Sequence, residues 1–600
     1  MLPGFLTLSG LDALYRSGAA TPADVVRSVM KRIEESTDRA IWICLRPLDE
    51  LVAEAEALAL EGPSADKPLW GVPFAVKDNI DCAGLPTTAA CPAFAYEPAS
   101  DAFAVARLRR AGAILIGKTN LDQFATGLNG TRSPFGAPRS VFNADYVSGG
   151  SSSGSAVAVG AGHVAFALGT DTAGSGRIPA AFNNLVGIKP TKGLVSNSGL
   201  VPACRSLDCI TVLAGHMGDG DRVRQIMQGF DARDVYARAM TPRALPQHGL
   251  RFGVLGAAER EFYGDAETAA LYDAAIARLE ALGGIRVEID YAPFRESAAL
   301  LYGGPWVAER FAAVEDFFAR HAEAMDPTVR AIIAGAQAMS AVDAFKGAYD
   351  LEAYRRRADA EWRKVDVLLL PTAPTIYKVA DMLADPVRLN SNLGRYTNFV
   401  NLLDCCAVAI PAGFRDDGLP AGVTLIAPAF ADDALAALAE RLHRAHSFGM
   451  GHDRAAPLPD VSVPPPQAKP LISVAVVGAH LTGMPLNHQL TDSAGVLLKT
   501  CKTAAHYRLF ALPNAVPPKP GLVHAPGFAG EGLVVEIWGL TPAAFGEFVA
   551  LIPAPMGIGK LVLEDGTSVS GFICEPYALE GAQDITSFGG WRAYLAAKSA

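Results

Sequence analysis

The chain has 600 residues, of which 50% are hydrophobic and 19% are charged, and its formal net charge is −10 at pH 7. This length exceeds what one hydrophobic core organises and predicts two or more domains. The acidic balance argues against nucleic acid as the main partner. The sequence has no uninterrupted run of about 18 apolar residues, so we expect no membrane span.

The first predicted elements alternate between helix and strand. Residues 21–36 are typical of an amphipathic helix with Thr21 as its N-cap. Residues 101–111 favour a second helix, 113–116 a short apolar strand, and the small apolar run 152–168 a buried helix.

The same alternation continues further along the chain. Strands are predicted at 250–255, 285–290 and 365–370, with a helix at 265–283 between the first two. Strands alternating with helices predict a layered α/β fold.

A proline-rich segment then divides the chain. Residues 456–470 predict a linker, because proline disfavours continued helix or sheet, so we expect domains at 1–455 and 471–600. The second domain is predicted to be a small α+β domain, with strands at 471–477, 496–498, 507–512, 532–538 and 570–574.

Two general features bear on the cellular setting. The N-terminal segment has neither a basic region nor a long apolar stretch, so we expect no signal peptide and a cytoplasmic protein. The nine cysteines form no C-x-x-C pair, which favours reduced thiols.

One nucleotide-binding pattern is better explained as a strand. Gly112–Thr119 matches G-x-x-x-x-G-K-[ST], but the four residues between its glycines are Ala-Ile-Leu-Ile. A phosphate loop follows its strand, whereas these residues form one and would bury the required amides. We therefore expect no nucleotide here and a structural role for Lys118.

Two glycine-rich segments carry the chemically informative serines. Ser151 lies in Ser148–Gly154 and Ser175 lies in Gly169–Pro179. A serine nucleophile needs a base, and no histidine accompanies these segments in a comparable motif. Lys77 is the candidate, because burial can lower a lysine pKa until the amine is neutral.

Simpler explanations exist for each of these residues. Serine–glycine runs are often flexible linkers, but this run leads directly into an apolar pattern. The glycines of Gly169–Pro179 could form an ordinary turn or direct several N–H groups at an oxyanion. His163 lies in the apolar run, and we expect it to pack in the core.

These segments together resemble the amidase signature family over roughly residues 5–450. The resemblance implies an α/β fold with a mixed central sheet flanked by helices, and it calls for no metal and no cofactor. The matching segments are residues 71–79, 149–154, 169–179, 185–193 and 394–404.

The resemblance also implies a Ser-cisSer-Lys triad. Ser175 would be the nucleophile, Ser151 the bridging serine in a cis peptide, and Lys77 the base. Backbone N–H groups from Thr172 through Ser175 would stabilise the oxyanion. The residues assigned to this oxyanion hole are Thr172, Ala173 and Gly174.

A further segment resembles allophanate hydrolases. Residues 301–310 are similar to their substrate-binding segment, which implies that Arg310 pairs with the allophanate carboxylate and that Tyr302 donates a hydrogen bond. Gly127 is assigned to the same substrate site. From the residues alone, Arg310 could instead be an exposed arginine on a helix face and Tyr302 a packed side chain, and this alternative stays open.

Residues 476–490 resemble the C-terminal domain of allophanate hydrolases, which is related in fold to gamma-glutamyl cyclotransferases. The resemblance implies that this domain decarboxylates N-carboxycarbamate, the product of the first domain. His488 is the first candidate for an acid–base role and His480 the second. A structural role for either histidine stays open.

Three functions are therefore compared. Allophanate hydrolysis in urea degradation is favoured over another amidase, or a glutaminase subunit of a tRNA-dependent amidotransferase, and over a catalytically silent assembly protein. We expect a homodimer, a small-molecule substrate, no nucleic acid and no membrane partner. A functional link to a urea carboxylase is possible, and physical association with it stays open.

Overall fold

The structure is a computed structural model, which divides into two compact units, Met1–Pro466 and Gln467–Ala600. It describes residues 2–246, 248–445, 448–460, 463, 471–493, 495–513 and 515–599. Most of the predicted linker, at 461–462 and 464–470, lies outside the described residues. Val463, which is described, is buried in the hydrophobic core of the first unit.

Within the described residues, the first unit is built on one 11-stranded sheet in the order β1-β3-β2-β4-β6-β5-β10-β11-β9-β7-β8. Parallel and antiparallel pairs both occur, so the sheet is mixed. Its strands are β1 Trp42–Leu45, β2 Pro73–Lys77, β3 Ile114–Thr119, β4 Phe166–Asp171, β5 Val186–Lys189, β6 Cys209–Ala214, β7 Arg251–Leu255, β8 Ile285–Ile289, β9 Val367–Pro371, β10 Cys405–Phe414 and β11 Pro420–Pro428.

Helices pack on this sheet, as the hydrophobic patterns predict. The buried faces of most of these helices and the central strands form one large core, which confirms the layered α/β class, while Trp306–His321 and Pro327–Ala334 contribute to a smaller separate cluster. The helices are α1 Leu8–Arg16, α2 Pro22–Glu35, α3 Leu48–Glu61, α4 Phe103–Arg110, α5 Ser153–Gly160, α6 Arg177–Phe182, α7 Met217–Met227, α8 Ala266–Ala281, α9 Ala292–Gly303, α10 Trp306–His321, α11 Pro327–Ala334, α12 Ala341–Trp362, α13 Val379–Ala384, α14 Arg388–Leu393, α15 Phe399–Leu402 and α16 Asp432–Ala445.

Most local predictions in this unit are confirmed to within a few residues. The hydroxyl of Thr21 accepts from the Asp24 amide, and the Asp24 carboxylate accepts in return from the Thr21 amide, so α2 begins with a complete capping box. The predicted strand in the phosphate-loop-like segment is β3. Lys118 of β3 is buried and pairs with Asp78 at 3.1 Å, which leaves it structural.

The predicted helix over 152–168 is wrong in its second half. Helix α5 ends at Gly160, Gly162 adopts a φ of +70°, and the chain then enters β4. A continuous run of small apolar residues has no period that separates helix from buried strand, so only the glycines mark the break. His163 lies in this connection, buried against Trp42 with ring centroids 6.4 Å apart, as expected.

The second unit contains a five-stranded sheet in the order β13-β16-β12-β18-β17 and a three-stranded sheet in the order β15-β14-β19, counted over its described residues. The predicted strands are present, but three further strands were missed. Proline and glycine interrupt the apolar patterns of Pro520–His524 and Met556–Val562, and Gln583–Asp584 is only two residues long. Its elements are β12 Ile472–Val476, α17 His488–Thr491, β13 Val496–Lys502, β14 Tyr507–Ala511, β15 Pro520–His524, β16 Val534–Leu540, α18 Pro542–Ala550, β17 Met556–Val562, β18 Ser568–Cys574, β19 Gln583–Asp584 and α19 Trp591–Ser599.

No helix in the described part of either unit combines the length and apolar character that a membrane crossing requires.

Candidate active site

Lys77 ends β2 and is fully buried in the first unit. Its Nζ donates to Ser151 Oγ at 2.8 Å and to Thr170 Oγ1 at 2.6 Å. Burial lowers the pKa of Lys77 to about 7, against the opposing effect of Asp122 and other nearby aspartates. The amine is therefore suited to accept a proton near neutral pH.

The loop before α5 holds Ser151 against this lysine. The peptide bond between Gly150 and Ser151 is cis, and Ser151 O accepts from the Asp122 amide at 3.1 Å. A Cβ at Gly150 would lie 2.1 Å from Asp122 Oδ2, so only glycine fits this approach. Asp122 also accepts from the amides of Asn129 and Gly130, which fixes the neighbouring loop.

Ser175 lies in the loop between β4 and α6 and is 3% exposed. Its Oγ is 3.5 Å from Gly127 O, its hydrogen-bond acceptor in the described part of the chain. Ser152 N donates to Ser175 O at 3.4 Å, which joins the two serine loops. The serines therefore lie close in the fold, while Ser175 Oγ is turned toward Gly127 instead of Ser151.

The amides near Ser175 differ in their availability. Gly174 N already donates to Asp171 Oδ1 at 2.8 Å. In the described part of the chain, the amides of Thr172, Ala173 and Ser175 have no acceptor. The amides of these three residues are thus the free donors. The oxyanion hole expected from the sequence included the Gly174 amide, and the Ser175 amide is available in its place.

Asp171 and Arg177, at the two ends of the Ser175 loop, form an ion pair that holds it. Arg177 Nε donates to Asp171 Oδ2 at 2.8 Å and its Nη2 to Asp171 Oδ1 at 3.0 Å, with both side chains fully buried. Burial alone would raise the pKa of Asp171, but Arg177 and the loop amides lower it below its usual value. A two-point ion pair of this kind holds the loop rigidly.

Arg310, on α10, is buried at 2% exposure near the same loops. Its Nη1 donates to Thr126 Oγ1 at 3.2 Å and its Nη2 to Tyr302 OH at 3.4 Å, while its Nε has no partner. Among the described residues it forms no ion pair with a carboxylate. Because Thr126 adjoins Gly127, this cation, which has no direct carboxylate partner in the described chain, lies near the Ser175 hydroxyl.

Several supporting residues were not predicted from the sequence. Thr170, Asp171 and Arg177 all fall in or beside the glycine-rich segment that contains Ser175, so their position was a usable signal. Asp122 and Asp208 gave no such signal. Asp208 accepts from Thr172 Oγ1 and from the Ala203 amide, and burial raises its pKa to about 6.

The two candidate histidines of the second unit have different surroundings. His480 Nε2 lies 2.8 Å from Gln489 Oε1, its ring stacks on Phe572, and it lines a cavity of about 180 Å³ that Lys519 also lines. Burial lowers the pKa of His480. His488 is exposed and makes a local contact to Pro485 O at 2.9 Å.

Comparison with known families matches both units. The family described as Amidase matches residues 24–436, and the one described as Allophanate hydrolase C-terminal domain matches residues 472–596. The solved structure of SeMet-substituted Kluyveromyces lactis allophanate hydrolase is similar, with a TM-score of 0.73 and 42% identity, covering 98% of this chain and 99% of that one.

Curated relatives fall into two groups. Urea amidolyase of Lachancea kluyveri is 44% identical over 604 residues, which cover 98% of this chain and 33% of the relative. One subunit of the glutamyl-tRNA(Gln) amidotransferase of Symbiobacterium thermophilum is 36% identical over 480 residues, which cover 72% of this chain and 95% of the relative. The chain thus spans about a third of the urea amidolyase that it matches.

Proposed function

Because the chain belongs to the amidase family, we propose that it is an amidohydrolase that cleaves the terminal amide of allophanate to ammonia and N-carboxycarbamate, in urea degradation. The observation that carries this substrate is Arg310, a buried cation without a carboxylate partner beside Ser175. Allophanate carries one carboxylate, which would supply the missing anion. The similarity to a solved allophanate hydrolase supports the same substrate.

In the proposed mechanism, neutral Lys77 takes a proton from Ser151, which takes one from Ser175. The Ser175 hydroxyl must first turn from Gly127 O toward Ser151. Its oxygen then attacks the amide carbon, and the relay runs backward to protonate the leaving ammonia. Water hydrolyses the resulting acyl-enzyme by the same proton route.

Two groups of donors would hold the reacting substrate. The amides of Thr172, Ala173 and Ser175 would stabilise the tetrahedral oxyanion, where one lost donor typically costs about 10²–10³ in rate. Arg310 and Tyr302 would hold the carboxylate, with Gly127 closing the site near the nucleophile.

Arg310→Ala is expected to impair hydrolysis of allophanate far more than that of biuret, in which a carboxamide replaces the carboxylate. Loss of a charge-assisted contact costs roughly 1.5–3 kcal/mol, or about 10–150-fold in kcat/KM. Ammonia release from both substrates measures the difference. Arg310→Lys is the matched control and should lose less, because it retains the charge. An equal loss on both substrates would make Arg310 structural.

A glutaminase function is the second candidate, since the similarity to the amidotransferase subunit extends over 95% of that subunit. That relative covers 72% of this chain, while the C-terminal match to allophanate hydrolases covers residues 472–596. Ammonia release from glutamine at a rate equal to that from allophanate would favour this candidate.

The second unit is proposed to decarboxylate N-carboxycarbamate. His480 is favoured over His488 for this role, because its half-buried ring lines a cavity together with Lys519, where a small dianion could bind. The exposed His488 has no comparable enclosure.

His480→Ala in the full chain should slow carbon dioxide release while ammonia release from allophanate stays normal. N-carboxycarbamate should then accumulate, because its loss of carbon dioxide falls to the uncatalysed rate. Parallel ammonia and carbon dioxide assays measure this split. His488→Ala serves as the control and should release both products normally. Normal carbon dioxide release by His480→Ala would remove the cavity from the reaction.

We also propose a homodimer, a cytoplasmic location and a functional link to a urea carboxylase that supplies allophanate. Sedimentation of the purified chain would test the dimer.

A further inference from the structure

A cavity in the first unit, apart from the proposed catalytic residues, has a cationic lining that the proposed amide hydrolysis does not use. It encloses about 710 Å³, and neither Lys77, Ser151 nor Ser175 lines it. Its cationic lining residues are Lys192, Arg205, Arg238, Arg243 and Arg355. Its acidic lining residues are Asp208, Asp359 and Asp404.

Two of the three carboxylates are already engaged. Asp404 accepts from Arg238 Nη1 at 2.8 and 3.0 Å, and the Arg238 guanidinium also lies 4.3 Å from the centre of the Phe430 ring. The Asp208 carboxylate accepts from Thr172 Oγ1 and from the Ala203 amide. Asp359, the third carboxylate, forms no ion pair among the described residues and is the lining carboxylate left to balance the remaining cations.

Among the described residues, three of the five cations have no ion pair, because Arg238 pairs with Asp404 and Arg355 pairs with Glu352. Lys192, Arg205 and Arg243 form no ion pair in the described part of the chain. Burial lowers the pKa of Lys192 more than Asp404 raises it, as expected for a cation without a sufficient counter-charge. Arg355 adds a buried Nε with no hydrogen-bond partner. The lining therefore has more cations than carboxylates, and its positive potential would attract an anion.

We propose that this cavity binds a nucleotide-sized small molecule that carries several phosphate charges and a planar ring. Arginine forks match phosphate oxygens by paired, charge-assisted hydrogen bonds. The rings of Tyr236 and Trp362 also line the cavity and offer faces for a planar group, while the Phe430 ring is already in contact with the Arg238 guanidinium. Its volume is typical of small-molecule sites and far exceeds what one phosphate fills.

Calorimetric titration of the full chain with ATP, pyrophosphate and adenosine tests the proposal. ATP should bind saturably and more tightly than pyrophosphate, adenosine should not bind, and added salt should weaken ATP binding. Arg205→Ala and Arg243→Ala should each weaken ATP binding by about tenfold or more. Both arginines are exposed and unpaired, so these variants should fold.

Arg110→Ala is the control, because it removes an equal charge from an exposed position that does not line the cavity. Its ATP affinity should match that of the wild type. The absence of saturable ATP binding, equal affinity in the cavity variants and the control, or adenosine binding as tight as that of ATP would each overturn the proposal.

Discussion

Ser175→Ala is expected to abolish ammonia release from allophanate while the protein stays folded. The hydroxyl makes one long contact, 3.5 Å to Gly127 O, so its removal leaves little unsatisfied. No other side chain in the proposed mechanism supplies an attacking oxygen to the amide carbon. Residues that act as one catalytic unit typically lose several orders of magnitude when the nucleophile is removed.

Single-turnover ammonia assays and labelling by a fluorophosphonate probe measure this effect. Ser153→Ala is the control. Ser153 begins α5 directly after the loop that holds Ser151, and its hydroxyl makes only a 3.5 Å contact to Asn120 O. It should retain both turnover and labelling. Near-normal turnover by a folded Ser175→Ala protein would refute the assignment of the nucleophile.

The fold was predictable where each local signal agreed with the tertiary structure. Residues 21–36 carry a cap, a proline and an amphipathic period, and α2 forms within one residue of those bounds. Residues 152–168 carry no such period, because nearly all of them are buried and small side chains suit a helix and a central strand equally. The break between α5 and β4 depends on pairing with strands distant in sequence.

The contact between two of the candidate site residues was predictable from the sequence. Lys77 and Ser151 are 74 positions apart, yet their motifs identified both, and the structure places their side chains in contact. Which backbone amides of the oxyanion hole are already engaged in hydrogen bonds could not be predicted. Gly174 was expected to donate to an oxyanion, but its amide is used by Asp171, a choice that only the folded loop geometry sets.

The same limit explains the histidines of the second unit. Sequence places His480 and His488 in one loop region after β12 and gives no basis for choosing between them. Enclosure by Phe572 and Phe548, which lie far along the chain, distinguishes His480. Partial burial of a single polar ring depends on such long-range packing and leaves no local pattern.

Lys77→Met is expected to be nearly as damaging as loss of the nucleophile, because both proton transfers pass through this amine. The methionine approximates the volume of lysine but can neither donate nor accept the proton. Ammonia assays should show a loss of orders of magnitude. Thr170→Val is the matched control: it removes the second partner of Lys77 but keeps the contact to Ser151, so it should lose much less.

The pH dependence gives an independent test of this lysine. Its pKa is lowered to about 7 by burial, and only the neutral amine can act as base, so kcat/KM should rise with pH up to about 7 and then level off. The free energy of unfolding should also rise between about pH 7 and pH 10.5, the ordinary lysine pKa. In this range the unfolded lysine keeps a proton that the native lysine has lost. Lys77→Met should lose this contribution. A wild-type kcat/KM that stays constant from about pH 5 to about pH 9 would exclude Lys77 as the titrating base.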